Sequence, residues 1–388
     1  MNSSERVSMA LNHQEPDRIP FDLGGTGLTT LHVDAYHPLR EHLALPPVEA
    51  RIMAMAEQLV HVDEDVSERL QADVRLVSPD ISSDFEFVFR DEGAYEAYTD
   101  EWGIGWRKPK DGGLYYDMYA HPLAGARSLD EFKAYPFPNP VDERRLAGLR
   151  QQAEAAAERG KAVVLAGPCS GLAEVYSWMR GYEAYYTDLA LNQEIVATML
   201  DRLVEFKCAY WERALDMVGD LVDVVVEADD LAGQQSLLLS PKTYRSLIKP
   251  RHQRLFRFIK DQAAVKVFFH SCGAIRPLLA DLIDAGIDIL NPVQISAAGM
   301  DLRELKAEFG RDLVFWGGGV DTQAVLGSGT PEQVREDVRR NIDALAPGGG
   351  FVFAAVHDIQ ANVPPGNIMA MWETLQEVGF YPDLQRRN

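Results

Sequence analysis

Short, uninterrupted apolar runs recur along the chain from about residue 160 onward. They are rich in β-branched and aromatic residues and do not alternate with polar positions, which is typical of parallel strands buried on both faces. An earlier strand is predicted at 72–77. The later strands are predicted at 162–167, 222–226, 265–269, 287–290, 313–316 and 351–356.

Segments with helical spacing lie between these strands. In the clearest of them, Thr330 is the expected N-cap, Pro331 takes the first helical position and Gln333 completes a capping box. Another helix is predicted over about 194–217, and Gly286 ends a third. The alternation of strand and helix indicates a parallel α/β fold, and seven predicted strands approach the eight of a (β/α)8 TIM barrel.

The predicted barrel is a single domain over residues 1–388. We expect an N-terminal extension over about 1–70 and an irregular excursion from the barrel over about 81–150. No Gly-x-Gly-x-x-Gly follows the first strand, which disfavours a dinucleotide-binding sheet. The glycine-rich turn at Gly317 lacks the Lys of a P-loop and is expected to be a tight turn at the barrel mouth.

Composition narrows the choice of partners. The chain carries 38 Lys and Arg against 59 Asp and Glu, a formal net charge of −21, which disfavours nucleic acid and anionic membrane surfaces. No run approaches the roughly 18 apolar residues of a membrane span, and the first residues lack the pattern of a signal peptide. Three cysteines do not suggest a disulfide framework, so we expect a cytoplasmic enzyme that acts on a small molecule.

In a barrel of this kind, polar residues at the C-terminal ends of strands are the candidates for the site. The set found here is rich in carboxylates, contains two imidazoles and two thiols, and has almost no Arg or Lys. It comprises Asp80, Cys169, Ser170, Glu227, Asp229, Asp230, His270, Cys272, Asn291, Gln294, Asp321, His357, Asp358 and Gln360.

The pair His270 and Cys272 ends one buried strand, two positions apart, so both side chains are expected to point the same way. Imidazole and thiolate are zinc ligands, and His357 is a well-placed third. Glu227, water or substrate would take the remaining position. Three protein ligands and an open position describe a catalytic zinc, which lowers the pKa of a bound thiol.

These assignments have structural alternatives. His270 and Cys272 would look the same as buried core residues. His357 is equally consistent with a general acid or a hydrogen-bonding residue, and Asp229 or Asp230 with a helix cap. The sequence leaves these alternatives open.

Four motifs and one turn, taken together, carry a family resemblance. They are Glu15-Pro-Asp-Arg-Ile-Pro20, Ala72-Asp-Val-Arg-Leu-Val-Ser-Pro-Asp80-Ile81, Ser240-Pro-x-x-Tyr244 with Lys249-Pro250, His270-x-Cys272-Gly273 and the turn at Gly317. This set resembles the uroporphyrinogen decarboxylase superfamily over nearly the whole chain. The resemblance implies a distorted (β/α)8 barrel with its cleft at the C-terminal ends of the strands.

One branch of that superfamily comprises true decarboxylases of porphyrin biosynthesis. They bind a porphyrinogen with eight carboxylates through an Arg-rich N-terminal segment and an Asp that hydrogen-bonds the pyrrole NH groups. Asp80 matches that Asp, but residues 19–27 contain no Arg. Because buried carboxylates without Arg partners would be unpaired, decarboxylation with altered substrate recognition is the second hypothesis.

The other branch comprises cobamide-dependent methyltransferases, whose zinc is held by His-x-Cys and a later Cys. His270 and Cys272 match the pair, whereas His357 stands in the place of the later Cys and makes the site less rich in thiolate. On this resemblance we predict a zinc-dependent methyltransferase. It would move a methyl group between a corrinoid, on a separate carrier protein, and a thiol or folate-like acceptor.

The positions of the polar residues at strand ends, together with the family resemblance, predict a role for each candidate site residue. A non-catalytic protein that binds a small molecule is a third hypothesis, and a homodimer is compatible with the resemblance. The methyl donor and acceptor do not follow from the sequence. The predicted catalytic residues are Asp80, Asp229 and His357, the metal ligands His270, Cys272, His357 and Glu227, and the cofactor-binding residues Asp230, Asn291, Gln294 and Asp321.

Overall fold

The computed structural model describes residues 1–384, in which strands and helices alternate over most of the chain. In chain order the strands are β1 (Ile52–Ala54), β2 (Leu59–Val60), β3 (Val74–Val77), β4 (Arg90–Glu92), β5 (Tyr95–Thr99), β6 (Gly105–Pro109), β7 (Asp117–Ala120), β8 (Ala162–Ala166), β9 (Val224–Ala228), β10 (Lys266–His270), β11 (Ile289–Asn291), β12 (Val314–Trp316) and β13 (Phe351–Val352).

Most of the helices follow the strands of the barrel. A π-helical turn at Tyr244–Ile248 leads into α11, and a 3-10 turn at Arg276–Leu278 leads into α12. In chain order the helices are α1 (Ser3–Leu11), α2 (Val33–His42), α3 (Glu64–Arg69), α4 (Leu129–Ala134), α5 (Glu143–Leu146), α6 (Leu149–Glu158), α7 (Leu172–Arg180), α8 (Tyr182–Leu191), α9 (Gln193–Val218), α10 (Pro241–Thr243), α11 (Lys249–Gln262), α12 (Leu279–Ala285), α13 (Leu302–Phe309), α14 (Pro331–Leu345), α15 (Pro365–Val378) and α16 (Tyr381–Leu384).

Seven strands pair in parallel in the order β13–β12–β11–β10–β9–β8–β3, at the positions predicted from the apolar runs. The segment around Phe21 closes the ring between the first and last of them. The Asp22 amide donates to the Phe353 carbonyl at 2.9 Å, and the Asp73 amide donates to the Phe21 carbonyl at 2.8 Å. The predicted (β/α)8 barrel is therefore confirmed. Its eighth strand is too short to appear as an apolar run.

The inside of the barrel is filled by side chains from alternate strand positions. On β10, Phe268 belongs to this inner core, whereas Val267 and Phe269 pack in the outer layer with the helices. Ala10 and Leu11 of α1 also join the inner core. The Ser4 amide of α1 donates to the carbonyl of Gly160, just before β8 begins. Helix α1 thus covers the N-terminal end of the barrel and leaves the C-terminal end for a ligand.

The capping residues in the sequence correctly predicted the start of α14 and the end of α12. The Gln333 amide donates to the Thr330 side chain at the start of α14, and the Gln333 side chain completes the capping box. Gly286 ends α12 in the left-handed conformation, as expected. Within residues 1–384, no helix is both long and apolar enough to cross a membrane.

The segment expected to be irregular contains a four-stranded antiparallel sheet in the order β4–β5–β6–β7. Strand β4 consists of the exposed residues Arg90, Asp91 and Glu92, so no apolar pattern marks it. Trp106 of β6 and Met118 of β7 reach the cavity described below. The assignment of residues 1–388 to one domain stays a prediction.

Candidate metal centre

The turn that leaves β10 places a histidine beside a cysteine. His270 is the last residue of the strand, and the Cys272 amide donates to the Asp230 carboxylate at 2.7 Å. Gly273 follows with a φ of +88°, in the left-handed region. A Cβ atom there would lie 2.5 Å from the Gly233 carbonyl oxygen, so a glycine is required where the chain turns away.

His270, Cys272 and His357 form a compact group that we call the ligand trio. One ligand atom from each lies within 4.8 Å of the other two. Sγ of Cys272 is 3.4 Å from Nε2 of His270, and the two imidazole centroids are 5.2 Å apart. Ordinary Zn–N and Zn–S bonds at a tetrahedral ion separate the two atoms by about 3.5 Å. Both the donor types and their spacing therefore fit zinc.

Contacts outside the trio orient the two imidazoles. Asn291 donates from Nδ2 to the Trp316 carbonyl at 2.8 Å, which turns its Oδ1 toward Nδ1 of His270 at 2.6 Å. Because a carbonyl oxygen only accepts, Nδ1 carries the proton and Nε2 is free to bind a metal. Nδ1 of His357 lies 2.8 Å from the amide nitrogen and 3.3 Å from the carboxylate of Asp358. Each ring is thus fixed by one neighbour.

The electrostatics of the trio favour a thiolate beside imidazolium groups. Burial alone would raise the pKa of Cys272, but the charge of His270 outweighs it and lowers that pKa to about 7. Burial alone would lower the pKa of His270, but the thiolate of Cys272 raises it to about 9. For His357, burial is outweighed by the Asp358 carboxylate, and the pKa lies well above its usual value. A divalent cation can replace the protons that these groups hold.

A cavity of about 780 Å³ adjoins the trio at the C-terminal end of the barrel. His270 and His357 both line it, so an ion held by the trio would have a coordination position facing this space. None of the described residues that line the cavity is Lys or Arg. The site therefore suits a small molecule that does not rely on lysine or arginine for recognition.

Two predicted cofactor-binding residues lie at the trio besides Asn291. Asp230 lines the cavity, and its carboxylate lies 4.0 Å from Nε2 of His270. Gln294 accepts a hydrogen bond from the Gly273 amide and so holds the turn after Cys272. Asp230 is thus positioned toward a ligand, whereas Gln294 supports the backbone.

Asp229, a predicted catalytic residue, is fully buried. It accepts hydrogen bonds from the amides of Ala173 and Glu174 at 3.0 and 2.9 Å, in the first turn of α7. Its Oδ2 also lies 3.1 Å from Nε2 of His252. The structure therefore uses Asp229 to cap a helix, which the sequence left open as the alternative, and it does not place this carboxylate on the cavity wall.

Glu227, the predicted fourth metal ligand, is not brought into the trio. Its carboxylate accepts from Nζ of Lys207 and from Nε1 of Trp211, each at 2.7 Å. All three side chains are buried. One carboxylate oxygen thus forms a buried ion pair and the other accepts a hydrogen bond from an indole. Both partners come from the preceding helix α9, so the positions of polar residues at strand ends could not predict this arrangement.

Asp80 and Asp321 also lie away from the cavity lining. The Asp80 side chain is 55% exposed and pairs with Arg144 at 3.4 Å. The Asp321 carboxylate accepts from the amides of Gln323 and Ala324, which stabilises the turn after β12. Neither residue reaches the trio in this structure.

Glu174 is a candidate functional residue that the strand-end criterion missed. It lines the cavity, and its Oε2 accepts from the Ser170 hydroxyl at 2.8 Å. Burial, reinforced by the charges of Asp230 and Asp229, raises its pKa to about 8. Its place in the first turn of α7 is the only local signal, because a Glu there can accept from the amide at the helix start, as it does from Gly171 at 3.2 Å.

The aromatic wall of the cavity carried no sequence signal. Trp106 comes from the antiparallel sheet and Trp178 from α7, and the two indoles meet with their centroids 6.1 Å apart. Glu57, from the loop between β1 and β2, lines the cavity as well. Residues so distant in sequence are brought together only by the packing of these elements.

A (β/α)8 barrel with a His–Cys–His group at its C-terminal end combines the usual place of a barrel's active site with residues that could hold a metal ion. Residues 119–378, more than half of the chain, match the uroporphyrinogen decarboxylase (URO-D) family. The protein belongs to that family, as its motifs indicated.

Relatives with two different activities match this chain. The methylcobamide:CoM methyltransferase MtbA of Methanosarcina mazei is 24% identical over 256 residues, which are 65% of this chain and 69% of the relative. The uroporphyrinogen decarboxylase of Thermus thermophilus is 28% identical over 221 residues, 56% of this chain and 55% of the relative. A solved methyltransferase from Methanosarcina mazei shares the fold, with a TM-score of 0.66, 17% identity and coverage of 97% and 99% of the two chains.

Proposed function

We propose that this protein is a zinc-dependent methyltransferase that moves a methyl group between a corrinoid and a thiol acceptor. The observation that carries the proposal is the compact trio of His270, Cys272 and His357, with two of its members lining a cavity. The similarity to a methylcobamide:CoM methyltransferase supports the same activity. A corrinoid carried by a separate protein would supply or receive the methyl group.

Zinc in such a site lowers the pKa of a bound thiol and so supplies a thiolate nucleophile. The chain's own residues prepare the site for this chemistry. Asn291 and Asp358 hold the two imidazoles in place. Asp230 and Glu174 stand on the cavity wall, where they can take the proton that the acceptor loses. With a pKa of about 8, Glu174 is largely protonated at neutral pH, and it accepts this proton more readily as the pH rises toward 8.

Decarboxylation of a porphyrinogen finds less support. Such a substrate brings eight carboxylates, and no Lys or Arg occurs among the described residues of the cavity lining. Unpaired carboxylates in a partly buried site are costly. Asp80, which resembles the residue that binds the pyrrole NH groups, lies outside the cavity lining.

Metal content is the first test. We expect near-stoichiometric zinc in the wild-type protein purified without chelator and its loss in Cys272→Ser. Cys208→Ser is the matched control, because Cys208 is also a free cysteine but lies on α9 and lines a different cavity. Equal zinc in all three proteins, or zinc in none, would contradict the proposed site.

Turnover is the second test. The zinc-loaded protein is incubated with methylcobalamin and a panel of thiols, and methyl thioethers are measured by mass spectrometry. We expect methyl thioethers with the wild type and with Cys208→Ser. The rate with Cys272→Ser should be at least about 100-fold lower, because this variant would lose the catalytic metal. Release of CO₂ from uroporphyrinogen without methyl transfer would identify a decarboxylase instead. No turnover of either kind would favour a binding protein.

A further inference from the structure

The cavity walls combine carboxylates with aromatic rings, and the proposed methyl transfer uses only part of them. The lining carboxylates are those of Glu57, Glu174, Asp230 and Asp358, and no lysine or arginine stands among the described lining residues. A divalent ion together with one thiolate would add a single positive charge. The cavity would still be negative when its carboxylates are ionised, and a negative cleft attracts cations.

The aromatic rings meet at steep angles and do not stack. The indoles of Trp106 and Trp178 have an interplanar angle of 83°, and the rings of Tyr185 and Tyr186 lie 5.2 Å apart at 62°. All four residues line the cavity. Nε1 of Trp106 donates to Asp100 at 2.8 Å, which holds that indole in place. Several aromatic rings thus border one cavity, and aromatic surfaces around a single ligand are what binds quaternary ammonium ions.

Carboxylate and indole are combined on one helix. Glu174 and Trp178 are four residues apart on α7, so they lie on the same face. The Ser170 hydroxyl and the Gly171 amide both donate to Oε2 of Glu174, at 2.8 and 3.2 Å. Gly171 is required for this approach, because a Cβ atom there would lie 2.4 Å from the Ala228 carbonyl oxygen. The carboxylate is therefore held in position before a ligand arrives.

We propose that this cavity binds an alkylated ammonium group, which forms the charged part of the substrate. The inference rests on the proposed function for the role of this group beside the reacting centre. The carboxylate of Asp230 supplies the opposite charge, and that of Glu174 adds to it when it is ionised. The rings of Trp106 and Trp178 replace water around the N-methyl groups, where the positive charge is spread over a large, poorly hydrated surface.

Other ligand classes fit the walls less well. An anion would meet no lysine or arginine among the described lining residues, and the carboxylates of the wall would repel it. A neutral apolar ligand would take the carboxylates out of water without compensation. A hydrated metal ion prefers oxygen ligands on all sides, and indole faces supply none. The alkylated ammonium ion satisfies both the acidic and the aromatic parts of the wall.

Choline and its neutral carbon isostere 3,3-dimethylbutan-1-ol are the probes for this site. Isothermal titration calorimetry of the wild-type protein at pH 9, where Glu174 is ionised, should show binding of choline that is on the order of tenfold or more tighter than binding of the isostere. Trp178→Leu and Glu174→Gln should each weaken choline binding severalfold or more, whereas Trp178→Phe should retain part of it. Trp372→Phe is the control for loss of an indole, because Trp372 does not line the cavity and its Nε1 donates to Leu70.

The outcomes separate this inference from the proposed function. Circular dichroism first establishes that each variant is folded. Equal affinity for choline and its isostere, or unchanged choline affinity in both Trp178→Leu and Glu174→Gln, would overturn the ammonium site. Cys272→Ser should lose zinc and methyl transfer but keep its preference for choline. Selective choline binding by a wild-type protein that contains no zinc would reject the proposed function alone. Zinc-dependent methyl transfer without choline selectivity would reject this inference alone.

Discussion

Oδ1 of Asn291 lies 2.6 Å from Nδ1 of His270, and the two residues face each other in the parallel register of β10 and β11. The register therefore fixes which nitrogen of the imidazole points at Cys272. This makes Asn291 a positioning residue for the ligand trio.

Removing this contact should weaken metal binding. In Asn291→Ala the His270 ring loses its orienting acceptor, so we expect zinc affinity to fall by roughly 10- to 100-fold. Asn291→Asp, which keeps an acceptor oxygen, should retain most of the affinity. Competition with a chromophoric chelator measures both variants. Wild-type affinity in Asn291→Ala would mean that the ring is held by other contacts.

Zinc affinity should depend steeply on pH. In the metal-free protein, His270 holds its proton up to a pKa of about 9, and the Cys272 thiol is protonated below about 7. The metal must displace these protons, so affinity should rise from pH 6 to 9, by about tenfold per unit for each proton released. Chelator competition at several pH values, with calorimetry in buffers of different ionisation enthalpy, measures the slope. A flat profile would contradict a thiolate–imidazole site.

Glu174 should make the protein less stable at alkaline pH. Its folded-state pKa of about 8 lies above the ordinary 4.5, so the folded protein holds a proton that the unfolded chain releases. The free energy of unfolding contributed by this group is therefore complete at low pH and is lost as the pH rises through 4.5 to 8. Glu174→Gln should be more stable than wild type by about 1–3 kcal/mol at pH 8 and no different near pH 4.

Urea denaturation at the two pH values measures this effect. Glu183→Gln is the matched control, because Glu183 is exposed on the neighbouring helix α8 and should change stability little at either pH. An equal stability change in Glu174→Gln at pH 4 and pH 8 would show that it does not arise from ionisation.

Replacing only one member of the Lys207–Glu227 ion pair should lower the free energy of unfolding more than replacing both. Both side chains are buried, and Lys207→Met would leave the Glu227 carboxylate without its cation, a loss of about 3–5 kcal/mol in unfolding free energy. In the double variant Lys207→Met/Glu227→Gln, the neutral amide still accepts from Trp211, so much of the loss should be recovered. Chemical denaturation compares the three proteins. A double variant as unstable as Lys207→Met would mean that packing around Lys207 matters more than its charge.

Local patterns in the sequence predicted the strands, the helix starts and the pairing of His270 with Cys272. These features depend on neighbours within a few residues, such as the two-residue repeat of a strand or the capping of α14 by Thr330 and Gln333. The family motifs are equally local, and the match over residues 119–378 agrees with them.

Only the tertiary structure decided which strand-end polar residues share a site. Asp80, Asp229, Glu227 and His357 all follow or end strands, yet only His357 joins the trio. Glu227 forms an ion pair with Lys207 of α9, and Asp229 accepts hydrogen bonds from amides in the first turn of α7. Because a buried carboxylate needs a partner wherever the fold provides one, its role depends on which helix packs above it, and residue type alone does not specify that.

The same holds for the cavity wall and for barrel closure. Trp106, Trp178 and Glu57 meet there from a sheet, a helix and a loop, and Phe21 completes the barrel with a single bridge. The sequence by itself determined the fold class and the pairing of His270, at the end of β10, with Cys272 in the turn that follows, because both rest on short-range patterns. The third ligand's neighbours, the acidic and aromatic walls and the closing strand were decided by long-range packing, which brings together residues that carry no common pattern.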